Sequence, residues 1–246
     1  MRGVSEKILM GLSRNEGLKR LVSEKRAIVA CILRPSTSSA DDHEALFILR
    51  SGGEGRWAGQ VAFPGGHVEL GETDHECVSR ECKEEVGLEL DEPGAYTFLG
   101  ETRQLRVPFK RELVVTCRVY EQVPSAAAGG GLPRDLCLKE VAACGWCSLA
   151  ALRADNIAVP LKWAASHPGA DPDEWDGFAS FLLPIRCVRI PAGSPEVESD
   201  GEAGGVDSKF VLWGLTLHIV NDLLTTTGLR ATPIELVEHV DGDAKL

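Results

Sequence analysis

The stretch AIVACIL, residues 27–33, is an unbroken apolar run between Lys25-Arg26 and Arg34-Pro35. A run this short, rich in strand-forming residues and lacking polar alternation, is the pattern of a buried strand. Such a strand needs covering elements, and the rest of the chain supplies them. ALFILR (45–50) predicts a second strand, and WAGQVAFPGG (57–66) a short strand ending in a Pro-Gly-Gly turn. Residues 96–101 and 112–121 read as strands, as does 140–147, with a helix following over Ser148–Arg153. FASFLLPIRCVRI (178–190) suggests one further strand. Helices are expected at 5–24, where Ile8, Leu9, Leu12, Leu18, Leu21 and Val22 form an apolar pattern, at 73–86, and at 210–224. Three loops separate these elements: PSTSSADDH (35–43), SGGEGR (51–56) and the low-complexity PSAAAGGGLP (124–133). The acidic, Gly/Ser-rich segment 192–208 is expected to be disordered. The mixture predicts one α/β domain with a helix added at each end.

Charge and cysteine content narrow the function. The net charge of −11 makes the chain a poor general binder of nucleic acid, which requires basic patches. A polyanionic substrate would need local cations, and a metal ion can supply them. No apolar run approaches the ~18–20 residues of a membrane span, and the N-terminus lacks the apolar core of a secretory signal. Eight cysteines scattered through patterned segments predict reduced thiols in an intracellular protein rather than a disulfide framework. CGWC (144–147) has redox spacing but no surrounding βαβ pattern, and no second pair accompanies it as a zinc site would require.

The helix over 73–86 carries the chemistry. Thr73 and Glu76 have capping-box spacing, and Gly87 stands at the C-cap. Within RECKEEVG (80–87), Glu81, Glu84 and Glu85 fall within an arc of about 100° at helical periodicity, with Val78, Cys82 and Val86 on the adjoining arc. Like charges at these spacings cost roughly 0.2–0.5 kcal/mol per pair. Either that face is simply solvated, or something positive sits among the carboxylates.

The frame around them is more specific. Gly66 is followed after five residues by Glu72, and after seven more by Arg80-Glu81, then Cys82, Glu84-Glu85, Gly87 and Leu88. This resembles the signature of the Nudix hydrolases, GX5EX7REUXEEXGU, with U bulky and apolar; Cys82 is the one soft departure. The resemblance implies a Nudix-type α/β/α sandwich with a mixed sheet, from residue 26 to 225, between an N-terminal helical extension (1–25) and a C-terminal tail (226–246). It implies metal-dependent hydrolysis of a nucleoside diphosphate derivative, with Mg²⁺ or Mn²⁺ as cofactor. Glu81, Glu85 and Glu84 are then the implied metal ligands, joined by the carbonyl of Gly65. Gly66, Glu72, Arg80 and Gly87 are implied to be structural, with Arg80 and Glu72 paired between loop and helix. Such enzymes often use a further glutamate from outside the signature; Glu140 is the candidate, in competition with Glu101 and Glu112.

Upstream, LFILRSGGEGRWAGQVAFPGG (46–66) resembles the motif preceding the signature in coenzyme A pyrophosphatases, and VLWGLTLHIV (211–220) resembles a helix near the end of that subgroup. Ile48 and Gly55 depart from the usual threonine and arginine. Arg50, Ser51 and Arg56 are the implied substrate-binding residues. The implied products are 3′,5′-ADP and 4′-phosphopantetheine or its acyl form. Two other readings remain: a Nudix enzyme for ADP-ribose, NADH or a dinucleoside polyphosphate, and a non-catalytic nucleotide-sensing module. The terminal Ala244-Lys245-Leu246 is close to the Ser-Lys-Leu read by peroxisomal import receptors, predicting such a receptor as a partner and a peroxisomal, otherwise cytoplasmic, location.

Overall fold

A computed structural model describes residues 3–15, 19–36, 39, 42–52, 57–107, 110–124, 136–137, 139–153, 181–183, 185, 188–189 and 210–233. The elements in chain order are α1 (Val4–Leu12), β1 (Lys25–Pro35), β2 (His43–Arg50), β3 (Val61–Ala62), β4 (Gly65–His67), α2 (Asp74–Val86), β5 (Tyr96–Glu101), β6 (Leu105–Val107), β7 (Lys110–Gln122), β8 (Val141–Ser148), α3 (Leu149–Arg153), β9 (Phe181–Leu182), β10 (Val188–Arg189), β11 (Val211–Leu212) and α4 (Gly214–Thr226).

The apolar run lies at the centre of a mixed sheet ordered β10-β8-β2-β1-β7-β5, with β3, β4 and β6 paired to β2, β1 and β7. β1 runs parallel to β7 from Lys25↔Leu113 to Leu33↔Glu121, and antiparallel to β2 and β4. Because successive strand residues face opposite sides, Ala27, Cys31 and Leu33 enter one core while Ile28, Ala30 and Ile32 enter another. The second core is closed by Cys77, Val78, Cys82 and Val86 of α2. The first is closed by Ile8 and Leu12 of α1 and by Leu217, Ile219, Val220, Leu223 and Leu224 of α4. Helices on both faces make this an α/β/α sandwich, and explain why β1 has no polar side. Truncating Ile32, fully buried, to alanine would cost about 2–5 kcal/mol.

Three expected elements differ. The first helix stops at Leu12 and one 3₁₀ turn, Ser13–Asn15, and residues 19–24 are not helical. Polar side chains capture carbonyls there: Ser13 Oγ donates to Met10 O at 3.0 Å, and Asn15 Nδ2 to Glu101 O at 3.0 Å. Leu21 and Val22, read as part of that helix, are exposed. The helix expected from 210 begins at Gly214 instead, because Val211 and Leu212 pair with Leu182 and Phe181. Gly214 has φ +56°, a left-handed conformation that breaks the run. The single strand expected over 178–190 is two two-residue strands in different sheets, β9 and β10, with Pro184 between them. β6 had no clear sequence signal. The loop 124–133 beyond Pro124 and the segment 192–208 lie outside the described residues.

No described helix is long and apolar enough to cross a membrane. The seven described cysteines are free thiols. CGWC lies within β8, and its three-residue spacing places Cys144 and Cys147 in opposite cores, which rules out a paired redox site.

Candidate active site

The helix bearing the glutamates is fixed at both ends as its sequence predicts. Thr73 Oγ1 accepts from the Glu76 N–H at 3.2 Å, and Glu76 Oε2 accepts from the Thr73 N–H at 2.8 Å. Gly87, at φ +66°, closes the C-terminus, its N–H donating to Lys83 O at 3.1 Å. α2 is therefore a rigid platform with one apolar side on the sheet and its carboxylates along the border of that contact.

Glu81, Glu85 and Glu140 each bring a carboxylate oxygen within 4.8 Å of the others. Glu85 is almost wholly buried. Its Oε2 accepts from the Gly65 N–H at 2.8 Å, and Arg50 Nη1 lies 3.5 Å from its Oε1. Burial outweighs both partners and pushes its carboxyl up to about 7. Burial also raises Glu81, opposed by the Arg80 guanidinium at 2.9 Å. Glu140 stands exposed on the turn before β8. Its backbone is tied in: the Ser51 N–H donates to Glu140 O at 2.8 Å, and the Cys137 N–H donates to Glu85 O at 3.1 Å. A turn some 60 residues away in sequence is thereby held over α2.

The two glycines before the helix have steric reasons. A Cβ on Gly66 would lie 2.1 Å from Glu81 Oε1, so the carboxylate occupies the side-chain space. Gly65 has φ +148°, and a Cβ there would lie 2.2 Å from Ile28 O. Its backbone must approach β1 closely to present its N–H to Glu85.

Arg80 and Glu72 pair as expected, with Nε to Oε1 at 2.7 Å and Nη2 to Oε2 at 3.2 Å. The Arg80 guanidinium holds the Glu72 carboxyl down to about 2, with help from the Glu69 N–H. Arg80 also reaches Glu84 at 3.3 Å. Glu84 is exposed and stands apart from the three-carboxylate cluster. Of the competitors for the outlying glutamate, Glu101 is paired with Arg118 and Arg20, and Glu112 faces Lys25 at 3.8 Å; neither joins the cluster. Arg50 faces the site, Ser51 contributes its backbone N–H, and Arg56 lies outside the described residues.

The carboxylates border a cleft of about 400 Å³. Its other end is apolar, with Val29 and Val115 from the sheet facing Leu215 and Ile219 of α4, and Trp57 beside them. These wall residues escaped the reading of motifs. Their one signal was the distant WGLT stretch, whose place against the cleft depends on tertiary packing. Also missed were the Gly65 N–H on Glu85 and the Arg80 contact with Glu81.

An all-oxygen, all-carboxylate donor set suits a hard divalent cation such as Mg²⁺ or Mn²⁺. Like charges converging on one point, one of them buried, make electrostatic sense with such a cation among them. Glu81, Glu85 and Glu140 thus fit a metal.

Comparison with known proteins gives the family. A family model described as NUDIX domain matches residues 24–167, more than half of the chain. The 8-oxo-dGTP diphosphatase of Escherichia coli (strain K12) is 40% identical over 48 residues, 20% of this chain and 37% of that protein. The match thus spans little more than a third of that relative. Among solved structures, a Caenorhabditis elegans Ap4A hydrolase complex is 22% identical, with a TM-score of 0.38 over 52% of this chain and 82% of that one. A MutT/nudix family protein from Enterococcus faecalis is 21% identical, with a TM-score of 0.35 over 56% of this chain and 49% of that one. With the family model covering most of the sandwich and its carboxylate helix, the chain belongs to the Nudix family.

Proposed function

We propose that this protein is a metal-dependent pyrophosphatase that hydrolyses the diphosphate linkage of a nucleoside diphosphate derivative, and that its substrate is coenzyme A or an acyl-coenzyme A. The carrying observation is the convergence of Glu81, Glu85 and Glu140 at one end of a cleft whose wall also presents Arg50. A divalent ion held there would neutralise charge on the diphosphate and lower the pKa of a water. The chain's own residues do the rest. Glu85, fixed by the Gly65 N–H, and Glu81, fixed by Arg80, define where the diphosphate lies. Arg50 offers a guanidinium to the phosphate oxygens. Glu140, exposed beside the other two, accepts a proton from the attacking water. Oxygen from that water bonds to phosphorus, the bridging P–O bond breaks, and 3′,5′-ADP and (acyl-)4′-phosphopantetheine leave. Glu84, exposed outside the cluster, is a further carboxylate for a second ion.

One feature supports the coenzyme A assignment. The segments that resemble the coenzyme A subgroup, 46–66 and 211–220, are far apart in sequence, yet Trp57, Gln60, Leu215 and Thr216 from them border the same cleft as the carboxylates. The test is a panel of coenzyme A, acetyl-coenzyme A, ADP-ribose, NADH and diadenosine polyphosphates with Mg²⁺ or Mn²⁺. Release of 3′,5′-ADP from the coenzyme A compounds is expected. Preferential cleavage of ADP-ribose overturns the substrate, and inertness toward the whole panel overturns the enzyme. Peroxisomal import through Ala244-Lys245-Leu246 is proposed on sequence alone; a fluorescent fusion whose location survives deletion of Leu246 would refute it.

A further inference from the structure

Arg50 and Glu140 reach the carboxylate cluster from outside the Gly65–Glu85 stretch, and one irregularity of the sheet lies beside both. β2 and β8 pair residue for residue from Glu44↔Ser148 to Leu49↔Ala143, and the next pair is Arg50↔Val141. The pairing skips Ala142. β8 therefore carries a β-bulge of one extra residue, just where the two strands enter the site. Beyond the bulge the strands stay tied, the Ser51 N–H donating to Glu140 O at 2.8 Å. The turn that carries Glu140 is docked on α2, where the Cys137 N–H donates to Glu85 O at 3.1 Å.

The burial of β8 shows why the bulge forms. Trp146 and Cys144 enter the core beneath α2, and side chains alternate along a strand. Unbroken alternation would bring Ala142, and then Glu140, to that core. Val141 is there instead, fully buried, while Ala142 and Ala143 both turn to the opposite core. The extra residue gives the buried place to hydrocarbon and spares a carboxylate, whose charge an apolar core tolerates poorly. A bulge also bends its strand and increases the local twist, which can re-aim a side chain. The bend falls where one is needed. β8 belongs to the sheet layer as far as Ala143, and within a few residues its chain is hydrogen-bonded to a helix packed on that sheet.

We propose that the bulge at Ala142 bends the end of β8 onto α2 and so positions Glu140 against Glu81 and Glu85, with Ala142 a positioning residue that meets neither substrate nor ion. The proposal rests on the reading of these three carboxylates as the reacting centre. Deleting Ala142 removes the bulge and leaves Leu49↔Ala143 and Arg50↔Val141 as partners on their present faces. A second variant, with Ala142 deleted and an alanine inserted between Leu49 and Arg50, moves the extra residue to β2 at constant chain length. It carries the test if the shorter chain does not fold. Both are compared with the wild type and Glu140→Gln by thermal melting, by Mn²⁺ titration followed by electron paramagnetic resonance, and by release of 3′,5′-ADP from coenzyme A. The expected result is a folded protein whose Mn²⁺ affinity falls at least about tenfold. Its kcat should fall as in Glu140→Gln, with KM for coenzyme A changing less. Mere loss of stability would lower the melting temperature and leave the affinity of the folded protein alone. Wild-type Mn²⁺ affinity in either folded variant, beside weakened binding in Glu140→Gln, overturns the bulge as a positioning device and leaves the reacting-centre reading standing. Wild-type affinity and turnover in Glu140→Gln overturn that reading and the proposal with it.

Discussion

The two ends of the cleft are built differently. The carboxylate end comes mostly from one short stretch, Gly65 to Glu85, in which a glycine pair, a capped helix and an Arg–Glu tie set the geometry within 20 residues of chain. Arg50 and Glu140 arrive from elsewhere, Glu140 carried on a turn bonded to Ser51. The apolar end is assembled from four distant segments: β1, the Trp57 region, β7 and α4. Local construction ties the carboxylate end together through contacts within that stretch. The other end depends on how whole elements pack.

That contrast orders the expected effects. Glu85→Gln and Glu81→Gln should each lower kcat about 10²–10⁴-fold in steady-state assays with the fold intact. Gly66→Ala should approach the same loss without touching a carboxylate, because its methyl would occupy the place of Glu81 Oε1. Mn²⁺ titration followed by electron paramagnetic resonance should show weakened binding in Gly66→Ala, and unchanged binding would break the link between that glycine and the cluster. Glu84→Gln, changing an exposed group outside the cluster, should have a smaller effect that is restored at higher metal concentration. Adding metal to a hundredfold excess over its Kd should stabilise the folded protein by about 2.7 kcal/mol, and Glu85→Gln should abolish this gain in a urea titration.

The smallest effect concerns the tie behind the site. Glu72 has a folded carboxyl pKa of about 2 against an ordinary 4.5. A depressed carboxyl stabilises the folded state fully above pH 4.5 and loses that contribution as the pH falls through 2. The urea midpoints of the wild type and Glu72→Gln should therefore differ most at neutral pH and converge between pH 4.5 and 2.

The same contrast explains what could be read in advance. AIVACIL announced a central strand because a run with no polar side has no solvent face, and the capping box and Gly87 announced the limits of α2 because those signals are local. The pairing of Arg80 with Glu72 followed from resemblance, and the two side chains meet; resemblance asked for a further glutamate without choosing among Glu140, Glu101 and Glu112, and of these Glu140 lies with Glu81 and Glu85. The limits of α1 and α4 were misjudged for a physical reason. Apolar periodicity does not distinguish a buried strand from a buried helix, as at Val211–Leu212, nor does it sense a side chain such as Asn15 that takes its partner from another strand. The wall formed by Leu215 and Ile219 was invisible as a wall, since nothing in a helical pattern states which sheet face the helix will meet.

The central claim is that Glu81, Glu85 and Glu140 form the reacting centre of a metal-dependent pyrophosphatase. It is tested most directly by following release of 3′,5′-ADP from coenzyme A at saturating Mg²⁺ with the wild type and Glu85→Gln side by side. Release by the wild type that falls at least about a hundredfold in the variant is the predicted result. A folded Glu85→Gln protein that releases 3′,5′-ADP as fast as the wild type would contradict it.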